Sequence, residues 1–354
     1  MNKPRRNFIY SLAGLFGGSM LLSGCKQNIV GTVSQQDVMP LLGNPESFES
    51  TQPIQSNRPS VKVSSFGGDI QSAIYSLPAG GGIVEIDQTI YLSQTIDVPR
   101  SVEIFGTTAL PGSNSDSGNI NSAQLEQRHI LAANGVSPAF RLHGASGLNG
   151  VFLHKDGVSF GDSDSSHFAD MAVQIAGEDV YIEGCFITGF HQAAYGSFVQ
   201  RSRITNNRID CVNGIWLERV FDIARVNDNH LWPFVTVAVN TPESAWREGV
   251  AFRFSDGGDW NHLRGNFCFG FATGYLLHNV EHVTAVQCGA DSFPAHRRGI
   301  GFHITGKSKN IALIACQSAG QRIGFYNETE PKDKPDQMIG CSHWGNKSNV
   351  AGWN

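Results

Sequence analysis

Polar and apolar positions recur along this chain in short phrases. Ile204-Thr-Asn-Asn207-Arg-Ile209 returns 22 residues later as Val226-Asn-Asp-Asn229-His-Leu231. It returns again as Leu263-Arg-Gly-Asn266-Phe-Cys268, and in looser form over Val283 to Cys288 and Ile311 to Cys316. An apolar residue, an Asn or aliphatic residue three later and another apolar two beyond describe a short strand and its turn. A period near 22 residues is too short for a pair of helices but suits one coil of a β-solenoid, whose apolar face is buried only by the next coil. Asn207, Asn229 and Asn266 share one register, which predicts a ladder of side-chain amides.

The N-terminal part of the body follows a different pattern. Ile70, Ala73, Ile74 and Leu77 stand at helical spacing behind Asp69 as an N-cap, and Pro78-Ala-Gly-Gly-Gly82 ends the helix. Ile83–Ile86, Ile90–Leu92, Ile96–Val98 and Val102–Ile104 then read as short strands. Residues 107–128 are polar and rich in Gly, Ser and Asn, as is His154 to His167. Both are expected to leave the solenoid as surface excursions. The second carries Asp156, Asp162 and Asp164 at a spacing that fits no recognised calcium loop. No cofactor is expected, and calcium is the one ion this loop could take.

Over Phe66 to Gly106 the helix, the Leu-Pro-Ala-Gly-Gly-Gly turn and Val98-Pro-Arg-Ser-Val-Glu-Ile-Phe-Gly106 resemble the opening of pectate-lyase-superfamily proteins. Ser65-Phe-Gly-Gly-Asp69 stands where an Asp-rich phrase usually precedes that helix. The resemblance implies an all-β fold, a single-stranded right-handed parallel β-helix with a short N-terminal capping helix, and action on acidic or complex polysaccharides. Neither the Asn-Thr-Asp phrase of polygalacturonases nor the calcium-aspartate set of pectate lyases is present, so no catalytic motif carries over.

Composition agrees with many tight turns and few charged helix faces: 40 of 354 residues are Gly and 16% are charged. The net charge of −5 lacks the concentrated Lys and Arg of a nucleic-acid binder. Lys3, Arg5 and Arg6 precede an apolar run from Phe8 to Leu22, and Leu22-Ser-Gly-Cys25 follows. The order is that of a signal peptide, and it resembles a twin-arginine signal joined to a bacterial lipobox. That resemblance implies export in the folded state, a signal peptide over 1–24 and a lipid on Cys25. Lys26 after the Cys favours the outer membrane. Residues 25–60 read as a tether and 61–354 as the β-helix, expected as monomer or homotrimer. Six cysteines remain beyond Cys25, and Cys268, Cys288 and Cys316 are expected to share a register as buried thiols, although stacked neighbours could reach disulfide distance.

Between Asn229 and Asn266 the spacing jumps to 37 residues, so a loop is expected to leave the coil between Trp232 and Trp260. Trp232, Glu243, Trp246, Arg247, Arg253, Asp256, Trp260 and Arg264 mix aromatic faces with charges, as sugar binding requires. Asp222 and Asp259 each stand four residues before the apolar residue that opens a repeat phrase, and Arg225 and His262 one before. The register therefore predicts two carboxylates about one strand spacing apart, roughly 5 Å, sharing a proton as an acid-assisted glycosidase needs. Elimination next to a uronate would instead draw on Arg225, His262 and their neighbouring arginines. Hydrolase, lyase, non-catalytic glycan-binding or secretion lipoprotein, and scaffold all remain open at this level.

Overall fold

The computed structural model describes residues 58–106, 129–236, 241–293, 296–329 and 336–353. The signal, the lipobox, most of the tether and the excursion at 107–128 lie outside them. The charged stretch Pro331 to Gln337, which reads in the sequence as a loop, also lies mostly outside them.

The body from Asn57 onward is a right-handed parallel β-helix. Among the described residues, to which the strand counts below refer, every strand pairing is parallel and each coil contributes a strand to three faces. Eleven strands, from Ser60–Lys62 to Gln337–Ile339, form the first face. The other two faces join into one network of eighteen strands. They are joined because Phe186–Ser197 and Arg208–Glu218 run through the corner between them, with a register shift between Thr188 and Phe190.

Alternation places one apolar residue per coil inside the first face. Ile182, Ile204, Val226, Leu263, Ala285 and Leu313 pair in succession and are all buried. Inside the third face Phe252, Tyr275, Phe302 and Phe325 stack with ring centroids 4.8, 4.4 and 5.0 Å apart and nearly parallel planes. Such burial contributes roughly 1.5–3 kcal/mol per large side chain, and a coil gains it only once its neighbour is in place. The open first coil is covered by helix α1 (Ile70–Ser76), whose Ile70, Ala73 and Ile74 are buried and whose N-cap is Asp69, accepting from the Ser72 amide at 3.1 Å. The capping helix and the four short strands thus stand where the pattern put them, give or take two residues.

The turn from the first face to the second repeats one backbone device. Gly184, Asn206, Asp228, Gly265, Gln287, Ala315 and Gly340 all adopt left-handed φ between 51° and 62°. At Gly265 the left-handed φ of 62° is the conformation that glycine adopts without strain. The residue after each points inward: Cys185, Asn207, Asn229, Asn266, Cys288, Cys316 and Cys341. Asn207 donates its backbone and side-chain N–H to Asn229 Oδ1 at 3.1 and 2.9 Å, and Asn229 does the same to Asn266 Oδ1 at 3.0 Å for both. The amide ladder is therefore present. Cys268 is not in this column: it pairs with Leu231 and Ala290 on the second face, and Cys341 takes the place expected for it. The six cysteines of the body are free thiols.

Truncating the middle of the ladder is the sharpest probe of the stacking. Asn229→Ala strands the Asn207 amide hydrogens and the Ile204 carbonyl, and chemical denaturation is expected to show a loss of about 3 kcal/mol. A loss below about 0.5 kcal/mol would mean water replaces the amide at no cost.

Candidate functional site

The outer surfaces of the three faces are unlike. The first carries exposed Arg203, Arg225 and His262 in one column. Much of the second is covered by its own side chains and loops. Phe152, Phe186 and Phe234 are buried there, with Phe160 and Trp232 against them. His154 ties the loop at 156–168 down, donating to the Val158 carbonyl at 2.7 Å and bonding Thr188 Oγ1 at 2.8 Å. Burial holds this imidazole neutral, with its pKa at about 4.

The third face is open. A cavity of about 340 Å³ lies on it between the strands Ala169–Ile175, Phe186–Ser197, Arg208–Glu218 and Arg247–Ser255. His191, Gln192, Tyr195, Asn213, Trp216 and Arg253 provide its polar and aromatic lining. Tyr195, Trp216 and Arg253 are successive members of one outward column. The Tyr195 and Trp216 rings lie 4.8 Å apart, and the Arg253 guanidinium sits 4.0 Å over the indole. Trp216 is held in place by its own N–H, which donates to Ser255 Oγ at 3.0 Å. Tyr195 also borders a second hollow of about 500 Å³ that continues to Arg100, Glu178 and Phe198.

The protonation states within this groove follow from its hydrogen bonds. Asn213 Oδ1 accepts from the Val250 amide at 3.0 Å, which turns its Nδ2 toward His191 Nε2, 3.2 Å away. A donor at that nitrogen makes Nε2 the acceptor in this contact. Glu218 accepts from Ser197 at 2.8 Å and Tyr195 at 3.0 Å, and these bonds hold its carboxyl below the usual range. Glu178 is likewise held low by Arg100 and then by Arg201. Burial and then the adjacent Glu218 raise the Tyr195 phenol, keeping it protonated. Arg253 Nε is buried without a hydrogen-bond partner, and among the described residues no carboxylate pairs with the guanidinium.

The residues expected from the repeat register are placed as follows. Arg225 and His262 do align on adjacent coils. Asp222 and Asp259, however, turn to opposite neighbours: Asp222 bonds Arg201 of the preceding coil at 2.9 Å, while Asp259 faces His282 of the following coil at 3.3 Å. Arg201 also binds Glu178 and Asp179, so Asp222 belongs to an ion-pair network and the proton-sharing dyad is not built. Trp232 packs 4.6 Å from Phe269, whereas Trp260 is 61% exposed. Glu243, Asp256 and Arg264 are exposed, and Asp256 accepts from Asn279 at 2.9 Å.

The insertion is also shorter than expected. Arg247–Ser255 is a strand of the third face, so only residues 232–246 leave the coil, of which 237–240 lie outside the described residues. Trp246 is buried beneath Arg298, 4.2 Å over its ring, and donates to Glu248 at 2.6 Å. Arg247 is 1% exposed and bonds Asp210 at 2.7 and 3.0 Å, which anchors the insertion and removes Arg247 from any ligand. Of the proposed binding set, Arg253 alone lines the cavity. Asp156, Asp162 and Asp164 turn to Tyr91, His167 and Ser166 respectively, and among the described residues no group of three or more His, Cys, Asp or Glu could hold a metal ion.

His191, Tyr195, Asn213, Trp216 and Glu218 were missed from the sequence. Their signal is a second repeat, in which His191-Gln-Ala-Ala-Tyr195 is followed 21 residues on by Val212-Asn-Gly-Ile-Trp216. The corner's register shift makes this interval one shorter than that of the Asn phrase.

No protein-family model matches the chain, and no curated protein matches it in sequence. Solved structures do. The C387A mutant of DFA-IIIase from Arthrobacter chlorophenolicus A6 in complex with DFA-III is 12% identical, with a TM-score of 0.50 over 79% of this chain and 80% of that one. The mannuronan C-5 epimerase A-module of Azotobacter vinelandii is 12% identical, with a TM-score of 0.42 over 84% and 100%. The catalytic domain of a GH87 α-1,3-glucanase in complex with nigerose gives 12% and 0.40 over 85% and 70%. Of these three, the first bears on architecture, and it supports the β-helix alone.

One carboxyl outside the groove has a strong pH signature. Asp291 ends the strand Gly289–Asp291 beside Phe269, accepts from the Ser292 amide at 2.7 Å, and is pushed up to about 6 by burial. The folded state thus binds its proton more tightly than the unfolded chain, so this group's contribution to stability falls as pH rises from about 4 to 6 and is flat above. Asp291→Asn is expected to remove that fall, gaining about 3 kcal/mol over wild type between pH 4 and 7 in urea titrations. Parallel pH profiles for the two proteins would contradict the burial argument.

Proposed function

We propose that this chain is a polysaccharide-active enzyme that binds an acidic glycan along the third face and cleaves it by β-elimination. The observation that carries the reading is Arg253: a guanidinium stacked on Trp216 in an open groove, with no carboxylate of the described residues to neutralise it. A sugar carboxylate would supply the missing charge, and Arg presents paired donors that match one. Gln192, Asn213 and Tyr195 offer hydroxyl partners beside the aromatic wall.

Elimination is preferred to hydrolysis on electrostatic grounds. Hydrolysis by two carboxyl groups requires one to hold a proton near neutral pH. Glu178 and Glu218 are both held in the ionised form. Elimination needs a base for the proton beside the uronate carboxylate and a cation on that carboxylate as negative charge develops. His191, through Nε2, supplies the base and Arg253 the cation. The departing oxygen takes its proton from water in the open groove. The structural neighbours that act on saccharides are consistent with a carbohydrate ligand for this fold.

The same reading keeps the chain at the bacterial outer membrane through a lipid on Cys25, and Cys25→Ala is expected to move it from the membrane to the soluble fraction. Turnover on a panel of acidic polysaccharides, followed by unsaturated-uronate absorbance and by reducing ends, tests the chemistry. Both signals should rise together. His191→Ala should lower kcat by about 100-fold or more, and Arg253→Ala should chiefly raise KM. Reducing ends without unsaturation would replace elimination by hydrolysis, and retention of glycan without either product would leave a binding protein.

A further inference from the structure

The inward column of the first corner changes character along the helix. Its middle is a ladder of amides, but its C-terminal end is three thiols on consecutive coils, Cys288, Cys316 and Cys341. The Gln317 amide donates to the Cys288 carbonyl at 2.8 Å and the Ser342 amide to the Cys316 carbonyl at 2.9 Å, so each Cys stands directly above the next. We propose that Cys316 and Cys341 are an oxidisable pair whose disulfide clips the last coil of the helix to the one before it.

Geometry favours the bond. Neighbouring parallel strands hold paired Cα atoms about 4.8 Å apart, within the range of roughly 4.4–6.8 Å that a disulfide spans. The Cys316 Sγ lies 3.4 Å from the Ala285 carbonyl and the Cys341 Sγ 3.4 Å from the Leu313 carbonyl, the equivalent atom one coil on, so the two thiols sit at the same place on consecutive coils. Exposure then selects the pair. Cys288 and Cys316 are fully buried, whereas Cys341 is only half-buried and can meet a reagent from solution. Interaction with Cys316 also draws the Cys341 thiol down to about 7, while its two neighbours push Cys316 up. Cys341 is therefore the attacking thiolate and Cys316 the resolving thiol.

The last coil has reason to need such a clip. Its strand Ser342–Trp344 is exposed at every residue, and Gln337–Ile339 is exposed at both ends. Among the described residues this coil is held by edge hydrogen bonds and a few half-buried side chains.

The reaction balances with a small disulfide as oxidant. Cys341 thiolate attacks one sulfur of the oxidant and expels a thiolate. Cys316 then attacks the Cys341 sulfur and expels the second. The two cysteines lose two electrons and two protons, and the oxidant becomes two thiols.

The test incubates the folded full chain with oxidised glutathione, alkylates remaining thiols after denaturation, and maps non-reduced peptides by mass spectrometry. A Cys316–Cys341 linked peptide pair, lighter by two hydrogens, is expected as the main product. Cys316→Ser should trap glutathione on Cys341, and Cys341→Ser should leave Cys316 and Cys288 alkylated. Hydrogen exchange of the amides in 337–351 should slow by about tenfold or more on oxidation of the wild type. A Cys288–Cys316 link, full alkylation of all the body's thiols, or a linked pair with unchanged exchange would each overturn the proposal.

Discussion

The structure depends on a turn that must be made identically at every level. At the corner between the first and second faces, a residue with left-handed φ precedes one that points inward, and in the middle coils that inward group is an Asn whose amide bonds both the coil below and the coil above. A buried amide without partners would cost more than it contributes. Each coil therefore has to bring its Asn to the same height, which fixes the strands on either side and with them the register of all three faces. Extra sequence can enter only where it does not disturb that corner. The 37-residue coil obeys this: its surplus leaves after Leu231 and returns at Arg247, and Asn229 still bonds Asn266.

The outer faces inherit their differences from what the rigid interior leaves free. The second face spends its aromatic side chains on packing beneath loops, with His154 and the Asp210–Arg247 pair pinning those loops in place. The first face carries a charged column open to solvent. On the third face, stacking sets Tyr195, Trp216 and Arg253 side by side at strand spacing, and that column is neither covered nor charge-balanced. The interior imposes periodic spacing on outward groups, so a linear polymer of regular repeat is the kind of ligand such a surface matches.

The fold was largely legible in the sequence because its determinants are local and periodic: the Asn phrase, the alternating apolar residues and the Asp69-capped helix each announce one element. The site was legible only in part. Equal spacing correctly aligned Arg225 with His262. It could not say which way Asp222 and Asp259 would turn, since side-chain direction at an exposed turn is set by partners such as Arg201 and His282 on other coils. Arg247 misled for a related reason. A charged residue beside a tryptophan reads as a ligand contact until its buried partner is known, and Asp210 lies 37 residues away. The groove residues escaped notice because the register shift at the second corner gives them an interval of 21, out of step with the phrase that was followed.

Hydrogen exchange with and without an acidic oligosaccharide tests the central claim most directly, since it locates the ligand without assuming any chemistry. If the third face is the site, protection appears in Phe186–Ser197, Arg208–Glu218 and Arg247–Ser255 and is absent from Arg225–Asn227 and Asn261–Arg264. Protection confined to those two first-face strands would contradict the account and return the site to the column of Arg225 and His262.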